Sequence, residues 1–283
     1  LQYRDGDSVS ERTFPLYRTH HGPITHEIGG RWVATKINWD PVRALEQSFV
    51  RTKLDGHDAF RQMMNIRTNS SNNTVYADSS GNIAYYHGNF IPRRNPGFDF
   101  SRPVDGSDPA TDWQGLHTVD ETITLLNPPN GWIQNCNSTP FSAAAEYSPK
   151  REDYPAYMAT APENFRGIHA TRLLSERSDF TLEKLIDLAY DPYLPGFETL
   201  IPGLIEAYDQ AGHADPAIGV LRDWDLRVSA DSVAMTLAHF YGASYLENGA
   251  LPEDLADASR MERINFFGSG SPLDERLTLF SEV

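Results

Sequence analysis

Apolar and polar residues alternate in short runs through the first half of the chain, broken by Gly, Pro and Asn, whereas the second half carries apolar residues at helical spacing. Thr13 to Thr19 reads as a strand, His20-His21-Gly22-Pro23 as a turn and Ile24 to Ile28 as the continuation. Gly29-Gly30 is a hairpin signal before a further strand over Arg31 to Ile37. Asp40-Pro41 starts a helix with an N-cap and a first-turn proline, and Val42, Leu45, Phe49 and Val50 form its apolar stripe. A second helix is predicted from Gly56 through Arg67, with Phe60, Met63 and Met64 inward, and the two helices are expected to cover one face of the sheet. Asn72 to Gly88 is the most legible hairpin, two strands around Asp78-Ser79-Ser80-Gly81-Asn82.

Residues 88 to 116 are rich in Pro, Gly and Asp, and a loop of that length in a compact domain is more often functional than idle. The apolar run Thr122 to Leu126, the turn Pro128-Pro129-Asn130-Gly131 and Trp132 to Asn137 together read as strand, tight turn, strand. Alternation then places Trp132, Gln134 and Cys136 on one face and Ile133, Asn135 and Asn137 on the other. Ser138-Thr139-Pro140 ends the extended segment and leaves Asn137 at its tip. An amide there can donate from a rigid mount, as an oxyanion-stabilising group must, or can simply satisfy the strand's own backbone. Ser148 to Pro155 is a polar linker. Helices follow over Asn164 to Arg177, from Asp179 or Thr181 through Leu185, over Phe197 to Tyr208 with Pro202 as a potential kink, and over Asp231 to Tyr245. The pattern is α+β, with sheet concentrated in residues 1–147 and helix in 148–283.

Composition narrows the function. Thirty-nine acidic against 24 basic residues give a formal net charge of -15, which argues against nucleic acid or an anionic membrane surface as partner. One cysteine, Cys136, excludes an intrachain disulfide framework and a cysteine-based zinc cluster. No run approaches the ~18 apolar residues of a membrane span. The chain opens with Leu1-Gln2-Tyr3-Arg4, neither a start methionine nor a targeting sequence, and reads as a processed or truncated piece. His20 and His21 invite a metal reading, but neighbours in an extended chain point oppositely. The expectation is that His21 holds the turn by hydrogen bonds and His20 faces solvent. No Gly-x-Ser-x-Gly elbow is present for a serine hydrolase with its own triad.

Three segments in order carry a resemblance. Arg18-Thr19-His20-His21-Gly22-Pro23, the run Asn73-Thr74-Val75-Tyr76-Ala77-Asp78 to Gly81-Asn82-Ile83 with Pro92-Arg93-Arg94 beyond it, and Gly131-Trp132-Ile133-Gln134-Asn135-Cys136-Asn137 with Pro140 resemble the β-chain of the penicillin amidase family of N-terminal nucleophile hydrolases. The resemblance covers roughly residues 1 to 245. It implies a four-layer αββα core with an antiparallel sheet in the first half. It implies Asn137 as the oxyanion asparagine, Arg172 as an arginine framing the active site, and the Phe100 carbonyl as a ligand to a structural calcium; no other cofactor is implied. Trp224-Asp225 with Asp231-Ser232 also matches a family segment, read as structural.

The chemistry implied is amide hydrolysis. An N-terminal Ser, Thr or Cys attacks the carbonyl, its own α-amine takes the proton, and an acyl-enzyme forms and is hydrolysed. An α-amine suits the role because its ordinary pKa lies near ~8. Leu1 cannot be that nucleophile. The resemblance therefore implies a companion α chain and further β-chain segments, autoproteolytic processing of a zymogen, a periplasmic or secreted location, and penicillin-type or acyl-homoserine lactone substrates, the chemistry of antibiotic biosynthetic processes. By itself this segment is expected to be inactive. The rival reading is a non-catalytic binding or scaffold module, or an inactive fragment of such an acylase.

Overall fold

The computed structural model describes residues 1–69 and 72–283. Its contacts group into two compact units, one of residues 1–82, 86–124 and 152–158 and the other of 83–85, 125–151 and 159–283. Among the described residues every strand lies before residue 127 and, apart from two helices early in the chain, every α-helix lies from residue 165 onward.

In the first unit, β1 (Gln2–Asp5) pairs antiparallel with β2 (Ser8–Glu11). A second sheet has the order β3 (Arg18–Thr19), β4 (Gly22–Ile28), β5 (Arg31–Ala34), with Ile28 opposite Arg31 and a register shift between Ile24 and His26. The strand expected over Thr13 to Thr19 shrinks to its last two residues. Pro15 supplies no N–H for a ladder, and the bond nearest it is Ile24 N–H to the Tyr17 carbonyl, 2.9 Å.

Helix α1 (Pro41–Val50) starts as expected, with the Asp40 carboxylate accepting from Arg43 N–H at 3.3 Å. Its apolar stripe does not cover the sheet: Val42, Leu45 and Phe49 are 75%, 73% and 67% exposed. The buried residue of the helix is Gln47, whose Oε1 accepts from Thr68 N–H at 3.0 Å and from the Thr68 hydroxyl at 2.6 Å. A polar anchor rather than the stripe therefore sets the rotation of this helix. In α2 (His57–Met64) the sulfur pair is buried and Phe60 packs on Tyr76 at 4.7 Å, as the periodicity predicts.

The third sheet has the order β6 (Asn73–Ala77), β7 (Ile83–His87), β8 (Thr124–Leu126). The turn between β6 and β7 is built on one carboxylate. Asp78 accepts from Ser80 N–H, Asn82 N–H and the Asn82 side chain at 2.9 to 3.0 Å, and from the Tyr76 hydroxyl at 2.9 Å. Those bonds, led by the Asn82 side chain, lower its pKa to about 2. The 88–116 stretch is pinned rather than loose, since Arg93 exchanges backbone bonds with Gln114 and Gly115 at 2.9 and 3.0 Å.

The strand expected over Trp132 to Asn137 is absent. Asn127 and Gly131 adopt left-handed φ of 48° and 75°, which turns the chain out of the ladder. Gln134 N–H then bonds to the Ala143 carbonyl at 2.8 Å and its side chain to the Ser142 carbonyl at 3.0 Å. The alternation of faces expected over these residues falls with the strand.

The second unit is helical beyond residue 164: α3 (Phe165–Ser175), α4 (Leu182–Ala189), α5 (Phe197–Ala211), α6 (Pro216–Arg222), α7 (Val233–Asn248), α8 (Arg260–Ser269) and α9 (Leu273–Ser281). Leu200, Leu204, Tyr241, Tyr245 and Phe267 are almost fully buried and form the centre of its core. Helices α6, α8 and α9 add to those the periodicity predicts.

Candidate functional site

The second unit holds Asn137 in place from three sides. Asn164 caps α3 by accepting from Gly167 N–H at 2.9 Å, and its amide nitrogen donates to the Cys136 carbonyl at 3.1 Å. Thr139 N–H bonds to the Pro162 carbonyl at 3.1 Å. Gly167 lets the first turn of α3 close on the segment, because a Cβ there would lie 2.7 Å from the Ser138 hydroxyl and 2.4 Å from the Glu163 carboxylate. The neighbouring Cys136 thiol is pushed up by burial, which leaves it a poor nucleophile.

Asn137 itself is exposed, with a left-handed φ of 55°, a conformation asparagine tolerates better than most side chains. Arg166, one residue into α3, donates to its Oδ1 across a long 3.4 Å. A guanidinium only donates, so the amide oxygen faces Arg166 and the NH2 group turns away from it. Among the described residues that NH2 has no hydrogen-bond partner. The arrangement is a mounted donor at the surface of its unit, able to stabilise a negative oxygen brought against it.

Arg172 lies elsewhere on the same helix. It makes a two-pronged ion pair with Glu198, at 2.5 and 3.1 Å, and Glu198 also accepts from the Tyr193 hydroxyl at 2.7 Å. The Glu198 bond raises the arginine's pKa, and the same bond lowers that of the carboxyl. The arginine that meets Asn137 is Arg166, which the sequence reading passed over. Its signal is a place two residues after the cap that holds Cys136.

Two cavities accompany these features. One of about 380 Å³, in the second unit, is lined by Asn130, Trp132, Glu146, Tyr147, Leu174 and Arg177 among others; one of about 180 Å³ in the first unit includes His87, Phe90, Arg94 and Tyr157. Asn137 lines neither. Phe100 lies in a turn, with its ring 5.3 Å from the Arg94 guanidinium. The carboxylate beside it, Asp99, already accepts from Ser101 N–H at 2.9 Å and the Ser101 hydroxyl at 2.6 Å. One carbonyl and one engaged carboxylate do not by themselves fit calcium, which takes six to eight oxygens.

His20 and His21 occupy the turn that the sequence predicts, but their ring centroids are 3.7 Å apart, so the rings lie together rather than pointing oppositely. His20 does face solvent, whereas His21 bonds across the unit to the Gly106 carbonyl at 2.8 Å.

A model of the penicillin amidase family matches residues 1–272. Penicillin G acylase of Escherichia coli is 31% identical over 157 residues, 51% of this chain and 16% of that protein. The solved structure of a thermostable penicillin G acylase from Alcaligenes faecalis matches all of this chain and 58% of its own, with a TM-score of 0.69 at 20% identity. The chain thus spans only part of each relative, and the structural likeness establishes a shared α+β fold, that of the N-terminal nucleophile hydrolases. A family match over nearly the whole chain, joined to that fold, means that the chain belongs to the penicillin amidase family.

Proposed function

We propose that this chain supplies the oxyanion-stabilising asparagine of an N-acyl amide hydrolase whose N-terminal nucleophile comes from another segment. The observation that carries the reading is the Asn137 amide, its oxygen taken by Arg166 and its NH2 group free among the described residues. When a Ser, Thr or Cys hydroxyl or thiol attacks the substrate carbonyl, the oxygen gains charge and accepts from the Asn137 NH2 group together with a backbone N–H from the nucleophile's segment. The α-amine of the nucleophile takes the proton and returns it to the leaving amine, and water then releases the acyl group. Arg166 has a positioning role, keeping the amide from flipping.

Penicillin-type and acyl-homoserine lactone compounds are the substrate classes in view, with a companion chain, zymogen processing and a periplasmic or secreted setting as parts of the same proposal. A calcium at the Phe100 carbonyl would need oxygens from other segments, and no step depends on it.

Asn137→Gly in the complete protein tests the reading, because glycine accepts the left-handed backbone and removes the side-chain amide without straining it. Turnover of an N-acyl substrate should fall about 10²–10³-fold with KM little changed and an unaltered circular dichroism spectrum. Wild-type turnover in that variant would leave the scaffold reading in its place.

A further inference from the structure

The first unit brings together two imidazoles and a carboxylate from segments far apart in the chain. His20 and His21 form the turn between β3 and β4, and Asp112 ends a short 3-10 turn over Pro109–Thr111. Their ligand atoms all lie within 4.8 Å of one another. His20 Nε2 is 3.7 Å and His21 Nδ1 3.6 Å from the same carboxylate oxygen, Asp112 Oδ1. Donors around a tetrahedral ion bound at about 2.0–2.1 Å stand roughly 3.4 Å apart, so each imidazole nitrogen needs to approach Asp112 Oδ1 by only a few tenths of an ångström.

The hydrogen bonding behind the cluster selects the tautomer. His21 Nε2 lies 2.8 Å from the Gly106 carbonyl, which only accepts, so Nε2 carries the hydrogen and donates. In the neutral ring the Nδ1 lone pair then faces a carboxylate that also only accepts. Two acceptors turned on each other call for a cation between them. This is the outer bond that orients a metal-bound histidine. Gly106 makes it possible, since a Cβ there would stand 2.9 Å from His21 Nε2.

We propose that His20, His21 and Asp112 bind a divalent transition-metal ion of the zinc class. Two nitrogens and one carboxylate oxygen suit zinc or cobalt(II), not calcium, which prefers oxygen alone. The ion's fourth position falls to water on the side where His20 is 67% exposed. Such an ion clips the β3–β4 turn to the loop carrying Gly106 and Asp112. It does so independently of the proposed hydrolysis, none of whose steps uses these residues.

The test is metal binding by the complete protein, purified without an affinity tag or nickel resin. Equilibrium dialysis against zinc should give one ion per chain held at least about tenfold more tightly than by His20→Ala or Asp112→Asn. Cobalt(II) should show the intense visible absorption of a tetrahedral site, lost in both variants. Both replacements lie at partly exposed side chains, and each metal-free variant should melt with the metal-free wild type, so lost binding is not lost folding. Wild-type protein that binds no zinc, or binds it as the two variants do, overturns the proposal. So does a proton alone between His21 and Asp112, seen as a protonated His21 by NMR that zinc leaves unchanged.

Discussion

At the scale of single residues, the contrast between Arg166 and Arg172 decides how the site is composed. Both sit on α3, but one faces the Asn137 oxygen and the other is consumed by Glu198. In the complete protein, Arg166→Ala should lower kcat by about 10- to 100-fold, the worth of one charge-assisted bond, through loss of the fixed amide orientation. Arg172→Ala should leave kcat nearly unchanged, because its guanidinium is held by Glu198, and should lower thermal stability only slightly, because the pair is about one-third exposed and largely screened. Equal losses of kcat in the two variants would place both arginines at the active site. The backbone adds a control at position 137: alanine in the left-handed region costs about 1–2 kcal/mol more than glycine there. Asn137→Ala should therefore melt below Asn137→Gly while the two share the same loss of turnover. The motif singles out Asn137 as the candidate donor. It does not single out Arg166, whose bond depends on how α3 meets the segment from Cys136 to Thr139, a contact no local pattern encodes.

At the scale of elements, the sequence revealed what neighbours in the chain determine. The helix start at Asp40 is closed by the side chain that the pattern marks as a cap, and of the two candidates Asp179 and Thr181 it is Thr181 that caps α4. The hairpin around Asp78 is equally local, and its acid behaviour follows. Because the folded carboxyl has its pKa lowered to about 2, its contribution is complete above the ordinary carboxylate value near ~3.9 and is lost as pH falls through about 2. Protection of the Ser80 and Asn82 amides from hydrogen exchange should decline over that window, and Asp78→Asn should remove the dependence. Elements held by distant partners escaped the reading. Helix α9 is anchored by Arg276, which is buried and donates to the Gly203 carbonyl at 3.0 Å and the Ser271 carbonyl at 2.7 Å. In the sequence it is one arginine in a charged stretch. Arg276→Met strands those carbonyls and should cost about 3 kcal/mol in urea unfolding of the complete protein. A change within a few tenths would mean that water replaces the guanidinium. The strand expected over Trp132–Asn137 fails because a run of suitable residues need not stay extended: left-handed φ at Asn127 and Gly131 turns it out of the ladder. At His20-His21 the turn lies where the sequence puts it, and what the local pattern does not show is that this turn brings the two rings together.

At the scale of the whole molecule, the exposed apolar stripe of α1 is the feature that the chain's own residues do not explain. Val42, Leu45 and Phe49 lie on one helical face, and all three stay largely exposed although their spacing is that of a buried surface. Fully burying such side chains contributes about 1.5–3 kcal/mol each, so leaving three in water forgoes a large share of a domain's net stability. The acidic surface makes self-association a poor answer, because copies carrying a formal net charge of -15 repel one another. The companion polypeptide that belongs to the proposed function fits better, and it agrees with a match that spans 16% of one relative and 58% of another. The test uses cysteine labelling in the complete protein with Cys136→Ser as background. Leu45→Cys and Phe49→Cys should react with a maleimide about tenfold or more slowly in the native protein than in denaturant, since a covered side chain reacts only after local opening. Asp58→Cys, on the neighbouring helix with its side chain fully exposed, supplies the comparison. Should positions 45 and 49 label as fast as position 58, the stripe is bare in the finished protein. The exposed face would then speak for a separate partner rather than for the proposed companion polypeptide.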